Sequence, residues 1–243
     1  MNSHDVCVVI LAGGGATRFG GVTRVLPKCF LPVSGEETLL TRLLNQLDEA
    51  GFAKAVISTS PQWFPVLEAL IARYRETRSY GVQVLSNPAH AAGPLAALGA
   101  AARDIGEQRL LLCLPDIFFR ENPFPALAAA SPDEVLPGCI AGRLMRAPRS
   151  GFLTVNQEIV EALTYRPSSS HHDAFWPGIA LFRQSQIVPL LESTAPAGPI
   201  EDLFAAAIAK GVRFAFQPCG PFVNVNTLGE WLDLLTPLTP PEA

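Results

Sequence analysis

The chain has 243 residues, of which 49% are hydrophobic and 16% charged, with a formal net charge of −4. That composition supplies a large core and excludes a disordered or fibrous chain. No stretch is dense in Lys or Arg, so a grip on the nucleic-acid backbone is excluded, although one or two well-placed cations suffice for a nucleotide.

The five cysteines (Cys7, Cys29, Cys113, Cys139, Cys219) are scattered, odd in number and without metal-type spacing. They are expected to be reduced thiols in a cytoplasmic protein. The N-terminus lacks a basic region followed by a long apolar run, so no signal peptide is expected. Every apolar run is far short of a membrane span.

In chain order, Val6–Leu11 is short, apolar and β-branched, as expected of a strand buried on both faces of a parallel sheet. Residues 37–50 predict a helix with Leu39, Leu40, Leu43, Leu44 and Leu47 on one face and Gly51 as its stop. A strand over 55–60 and a helix over 61–74, with Pro61 near its first turn, follow. Next come a strand over 82–85, a helix over 94–103, and a strand over 109–114 that runs into Pro115-Asp116. This alternation predicts βαβ units and a Rossmann-like, doubly wound, mostly parallel α/β sheet.

From about Glu121 the pattern changes. A short helix is expected over 123–130. Strands over 135–142, 151–155 and 159–165 are joined by tight loops and predict a small antiparallel lobe on the acceptor side. A strand over 175–182 has Trp176-Pro177-Gly178 at its start. Helices over 187–191 and 200–210, a strand over 212–216 and a helix over 228–235 complete the pattern. A single domain over 1–236 is expected, with a nucleotide half (1–120), an acceptor half (121–236) and a proline-rich tail (237–243).

The chemistry is concentrated after the first strand, in Leu11-Ala12-Gly13-Gly14-Gly15-Ala16-Thr17-Arg18-Phe19-Gly20-Gly21. A glycine-rich loop after a strand lets backbone N–H groups lie close to phosphate. Lys28 follows ten residues after Arg18, inside the apolar Leu26-Pro27-Lys28-Cys29-Phe30-Leu31-Pro32-Val33. Gly15 to Gly20 has P-loop spacing, but Gly21 stands where the P-loop needs Lys. A dinucleotide fingerprint fails at Arg18, and no acidic residue ends a second strand to hold a ribose.

From Leu11 to Val33, including Thr23, the chain resembles the signature of nucleotidyltransferases that make nucleotide sugars and related activated alcohols. That signature runs L-A-G-G-x-G-T-R, then Thr, then P-K-x-L-L-P-V. Ala16, Gly21 and Phe30 are the departures. The resemblance implies a GT-A-like fold, an NTP and a phosphorylated small-molecule acceptor as partners, and Mg²⁺. A homo-oligomer is compatible with it. It makes Leu11, Ala12, Gly13, Gly14, Gly15 and Thr17 nucleotide-binding. Arg18 suits the departing β- and γ-phosphates through its bidentate fork. Lys28 suits the α-phosphate, where negative charge builds.

Asp116 follows a strand's C-terminal end and is expected to be a metal ligand. The segment Phe222-Val223-Asn224-Val225-Asn226-Thr227-Leu228 places Asn224 where the sugar-phosphate enzymes carry a metal-binding Asp. It also resembles the F-V-N-V-N-T run of molybdopterin guanylyltransferases. Asn224 is therefore the expected second ligand, Asn226 a weaker one, and a helix cap around Thr227 the structural alternative. Asn87 and Gly93, before Pro94-Leu95-Ala96, fall where the resemblance places the base; the amide of Asn87 can both donate and accept.

On the acceptor side, Gly151, Tyr165-Arg166-Pro167 and Gly178-Ile179-Ala180-Leu181-Phe182 resemble a G…E-K-P…G-I-Y-x-F pattern. Gly151, Arg166 and Gly178 are the acceptor candidates, and Tyr165 stands where that pattern has Glu. His171 and His172 follow in a serine-rich loop and are expected to be solvated. Arg143, Arg146 and Arg149 are expected at the surface. Glu201-Asp202 is read as a helix start that complements the dipole. Two alternatives stay open: a molybdopterin-type guanylyl- or cytidylyltransferase, and a nucleotide-binding regulatory module with impaired turnover.

Overall fold

A computed structural model of the chain describes residues 6–14, 19, 26–76, 78, 80–106, 109–129, 138–142, 151–165, 173–191, 194 and 197–235. Gly15, Ala16, Thr17, Arg18, Gly21, Thr23, Arg143, Arg146, Arg149, Arg166, His171, His172 and the tail lie outside the described residues.

Strand β1 (Val6–Leu11) is buried along its whole length and sits among four mutually parallel strands. Strand β2 (Pro32–Ser34) forms a small antiparallel pair with β3 (Glu37–Thr38), and α1 (Leu39–Glu49) follows. Helix α1 begins two residues later than its leucine pattern alone predicts. Thr38 caps it, accepting the Thr41 N–H at 3.2 Å, which leaves Glu37 in the extended pair. Gly51, with φ of 81°, provides the expected stop.

Next come β4 (Lys54–Thr59), α2 (Phe64–Arg75), β5 (Gly81–Ser86), α3 (Pro94–Ile105) and β6 (Arg109–Cys113). Pro65, not Pro61, occupies the first turn of α2; Pro61 lies in the preceding turn. The two faces of β1 serve two cores. Val6, Val8 and Ile10 pack with the leucines of α1 and with Leu67 and Ile71 of α2. Cys7, Val9 and Leu11 pack with Leu95, Ala97, Leu98 and Ala101 of α3. Helices thus cover both faces, as a doubly wound sheet requires. Each buried leucine contributes about 1.5–3 kcal/mol as an upper bound.

The short strand β7 (Ile117–Phe119) has no counterpart in the sequence reading. It is followed by α4 (Phe124–Ala129), β8 (Gly138–Gly142), β9 (Gly151–Asn156) and β10 (Ile159–Tyr165). The strand expected over 175–182 is two strands, β11 (Ala174–Trp176) and β12 (Ile179–Arg183). Gly178 separates them with φ of 72°, a left-handed conformation that breaks the ladder. Helices α5 (Gln184–Leu191) and α6 (Ile200–Ala209), strands β13 (Phe214–Pro218) and β14 (Phe222–Asn224), and helix α7 (Leu228–Leu235) complete the chain.

Ten strands form one sheet in the order β11-β9-β10-β13-β8-β12-β6-β1-β4-β5. The antiparallel strands β9, β10 and β11 therefore continue the central sheet at one edge. Strands β7 and β14 pair separately and antiparallel, with Asn224 opposite Ile117. No helix among the described residues is long and apolar enough to cross a membrane. Cys29 and Cys113 are free, buried thiols.

Candidate active site

A cavity of about 390 Å³ opens where the loops after β1, β5 and β6 meet. Parallel strands leave such a crevice at their carboxyl ends. Its walls are the 11–14 segment, Lys28 and Cys29, His90, Gly93 and Pro94, and the 114–116 turn. Two bonds seat the loop on β4: Ala12 N–H donates to the Ser58 carbonyl at 2.8 Å, and Thr59 Oγ1 donates to the Ala12 carbonyl at 3.3 Å.

Lys28 reaches the cavity because its neighbours are anchored. Residues 28–30 form one 3₁₀ turn that starts after Pro27, and Cys29 and Phe30 are buried in the core. The lysine is the corner of that turn that faces the cavity. Its Nζ donates to Asp116 Oδ2 at 2.7 Å and to Asn226 Oδ1 at 3.2 Å. Residues 88 and 198 positions apart thus converge on one ammonium group. The ion pair is largely shielded, with 15% and 23% of the two side chains exposed.

Asp116 Oδ1 is buried and has no hydrogen-bond partner among the described residues. A carboxylate oxygen withdrawn from water carries a cost unless a cation or donor meets it. Asn224 is close by, because its strand pairs with β7 and the next residue, Val225, donates its N–H to the Asp116 carbonyl at 2.8 Å. The cap of α7 is made by Thr227 and Glu230. Glu230 Oε2 accepts the N–H groups of Asn226 and Thr227, both at 2.8 Å, and Thr227 Oγ1 accepts the Glu230 N–H. The Asn226 side chain is thereby left to Lys28. The Asn-Val-Asn-Thr run held the signal for this contact, but which of its two amides faces the lysine depends on the β7–β14 pairing.

Asn87 does not line the cavity. It is 3% exposed, and its amide is spent internally. Nδ2 donates to Ser58 Oγ and to the Ala97 carbonyl, both at 2.9 Å, while Oδ1 accepts the Ala89 N–H at 3.0 Å. The neighbour that lines the cavity is His90, which the sequence reading does not single out. Its Nε2 lies 3.1 Å from Ser58 Oγ, and burial holds its pKa below the ordinary histidine value. Gly93 lines the cavity with φ of 120°, directly before Pro94 at the first turn of α3.

Two acceptor candidates, Gly178 and Gly151, do not line the cavity. The Gly178 carbonyl accepts the Leu114 N–H at 3.1 Å, so it holds the turn that carries Asp116. Gly151 pairs with Tyr165 and Trp176. A Cβ on Gly151 would meet Glu201 Cγ at 2.9 Å and Oε1 at 3.1 Å. Burial raises the Glu201 pKa, and the charges of Asp202 and Asp116 add to that rise. Glu201 is thus a carboxyl packed against Gly151 as well as a residue of the first turn of α6. Cys29 borders the cavity, but burial pushes its thiol up to about 12, so it is no nucleophile at neutral pH.

A small third core binds these pieces together. Phe19, Leu31, Val33, Leu39 and Val225 are buried in it, with Val223 and Trp231 packed against them. Trp231 Nε1 also donates to the Pro32 carbonyl at 2.8 Å.

The fold has counterparts among solved structures. A protein assigned as a glucose-1-phosphate thymidylyltransferase from Bacillus anthracis superposes with a TM-score of 0.83 at 18% identity, covering 95% of this chain and 94% of that one. The inositol-1-phosphate CTP transferase of T. maritima gives 0.80 at 16% identity over 96% of both chains. A UDP-glucose pyrophosphorylase complexed with UDP-glucose gives 0.76 at 14% identity over 94% and 96%. Among curated proteins none matches. The match to the model of the MobA-like NTP transferase domain over residues 8–217 is decisive: the chain belongs to that family and is a nucleotidyltransferase.

Proposed function

We propose that the chain is a Mg²⁺-dependent enzyme that joins an NTP to a phosphorylated acceptor and releases pyrophosphate. The acceptor class is a sugar 1-phosphate or a similar phosphate monoester. The observation that carries this reading is the pair of Lys28 and Asp116 on the wall of the cavity that Gly13 and Gly14 also line, with Asn226 bonded to the same ammonium. The similar structures named for glucose 1-phosphate, inositol 1-phosphate and UDP-glucose support the acceptor class.

The donors present fit a hard divalent cation. Asp116 offers a buried carboxylate oxygen with no hydrogen-bond partner among the described residues, and Asn224 lies opposite the adjacent Ile117 on the paired strand. Mg²⁺ is typically held by one or two protein ligands plus substrate phosphates, and among the described residues no cluster of three His, Cys, Asp or Glu competes with that arrangement. When bound, Mg²⁺ neutralises phosphate charge. The backbone of Gly13 and Gly14 approaches the triphosphate. Arg18 pairs with the β- and γ-phosphates. Lys28 leaves Asp116 for the α-phosphate, where the acceptor phosphate attacks and charge accumulates. Gly151, Arg166 and Gly178 border the acceptor, and Glu201 over Gly151 offers the carboxyl that Tyr165 lacks. Buried free thiols support a reducing, cytoplasmic setting.

A second reading, transfer of guanylyl or cytidylyl to a molybdopterin-type acceptor, is favoured by the family match and by Asn224-Val225-Asn226-Thr227. Pyrophosphate release with four NTPs against sugar 1-phosphates, inositol 1-phosphate and molybdopterin separates the two. It also separates both from a regulatory module that binds nucleotide without turnover. Lys28→Ala is expected to bring release below detection, and wild-type turnover in that variant would remove the assignment. Asp116→Ala is expected to lose activity that excess Mg²⁺ does not restore.

A further inference from the structure

The cavity has two chemically different ends, and strand order sets them apart. Across the sheet the order is β6, β1, β4, β5. Asp116 follows β6 and Gly13 follows β1, while Ser58 is the penultimate residue of β4 and His90 follows β5. Lys28 and Asp116 therefore stand on one side of the glycine backbone. His90, Gly93 and Pro94 stand on the other, with no charged side chain among the described lining residues there. A triphosphate held at the charged end must send its nucleoside toward the uncharged end.

The imidazole of His90 is held in a defined pose at that end. A Cβ placed on Gly13 would meet His90 Nδ1 at 2.3 Å, Cγ at 2.4 Å and Cε1 at 2.6 Å. Near-equal distances to three successive ring atoms mean that the ring lies with its face, not its edge, against Gly13. Whichever nitrogen carries the proton, Nε2 is committed to Ser58 Oγ at 3.1 Å. Ser58 Oγ is fixed in turn by Asn87 Nδ2, whose amide orientation is set by Ala97 and Ala89. The ring is thus clamped by Gly13 on one face and by Ser58 at one edge, and it lines the cavity in that pose.

We propose that His90 is the platform on which the nucleobase stacks, and that Ser58 and Asn87 are positioning residues that act through it. A flat, uncharged ring held in place stacks on any base face at little entropic cost. The inference rests on the nucleotide-binding reading of the cavity, and it reassigns base contact from Asn87 to His90.

Calorimetric titration of the full chain with ATP, GTP, CTP, UTP and inorganic tripolyphosphate tests it. His90→Ala is expected to weaken each of the nucleotides that the wild type binds by about five- to hundred-fold, the range for loss of one base stack. Tripolyphosphate affinity is expected to stay within about two-fold. His90→Phe, which keeps a flat ring without the Ser58 bond, is expected to retain most of the nucleotide affinity and guards against misreading a folding defect. Ser58→Ala is expected to raise the KM for NTP and leave kcat unchanged. Unaltered nucleotide binding in His90→Ala overturns the proposal, as does an equal loss of tripolyphosphate. A wild-type protein that binds no NTP overturns the site reading itself, and this inference with it.

Discussion

Replacing Gly13 by alanine tests the packing at the centre of the cavity. The added methyl would lie 2.3–2.6 Å from three ring atoms of His90. Comfortable carbon contacts begin near about 3.5 Å, so the ring must retreat by more than about 1 Å. The 3.1 Å contact with Ser58 Oγ does not survive such a movement. Losing that bond costs about 0.5–1.5 kcal/mol, and forcing an atom into a packed site costs about 1–3 kcal/mol. Against these stands a gain of about 0.4–1 kcal/mol from restricting the unfolded chain. Gly13→Ala is therefore expected to destabilise by about 2 kcal/mol. In a His90→Ala background the methyl has room, and the same substitution is expected to be neutral or slightly stabilising. Urea unfolding of the four proteins measures the coupling. Additivity within about 0.5 kcal/mol would show that the imidazole does not rest on Gly13.

Further outcomes follow from the same geometry. The carboxyl of Glu201 has a raised pKa in the folded protein because of burial, so the folded state holds that proton more tightly than the unfolded chain. Stability from this group is present below the ordinary glutamate value and is lost as pH rises through the raised one. Glu201→Gln is expected to abolish that loss, seen as a smaller fall in Tm between pH 4 and pH 8; an unchanged fall would exclude Glu201 as its source. Gly178→Ala combines a left-handed φ of 72° with contacts of 2.5–2.9 Å to Leu114. It is expected to destabilise by at least about 2 kcal/mol and to lower kcat through the turn that carries Asp116, and wild-type denaturation would contradict both.

The sequence made some of this architecture legible because certain signals are local. The apolar run of β1, the leucine stripe of α1 and the glycine after it each report a period or a stop that neighbouring residues decide. Lys28 was legible for the same reason, since prolines and buried neighbours fix its turn. Strands β7 and β14 were not, because three residues carry no periodicity and their pairing joins segments about a hundred positions apart. The role of Asn87 was ambiguous for a chemical reason: an amide able to read a base edge is equally able to satisfy backbone groups, and only the fold reveals Ser58, Ala97 and Ala89 around it. His90 carried no motif at all. Its placement depends on β5 lying two strands away from β1. The break at Gly178 was visible as a Pro-Gly pair, yet the apolar residues on both sides read as one strand.

The small core of Phe19, Leu31, Val33, Leu39 and Val225 has a thermodynamic consequence for the site. It fastens the turn that carries Lys28 to the segment that carries Asn226, and it lies apart from the two large cores of the central sheet. A cluster of that size opens at lower free energy than the sheet itself. Undocking of α7 would release Val225 and Trp231 together and part Lys28 from Asn226 while β1, β4 and β6 stayed paired. Amide exchange at 222–231 is then expected to be faster than at β1 under the same conditions. The contact between Lys28 and Asn226 is therefore expected to part in a sub-global opening, at a lower threshold than the fold.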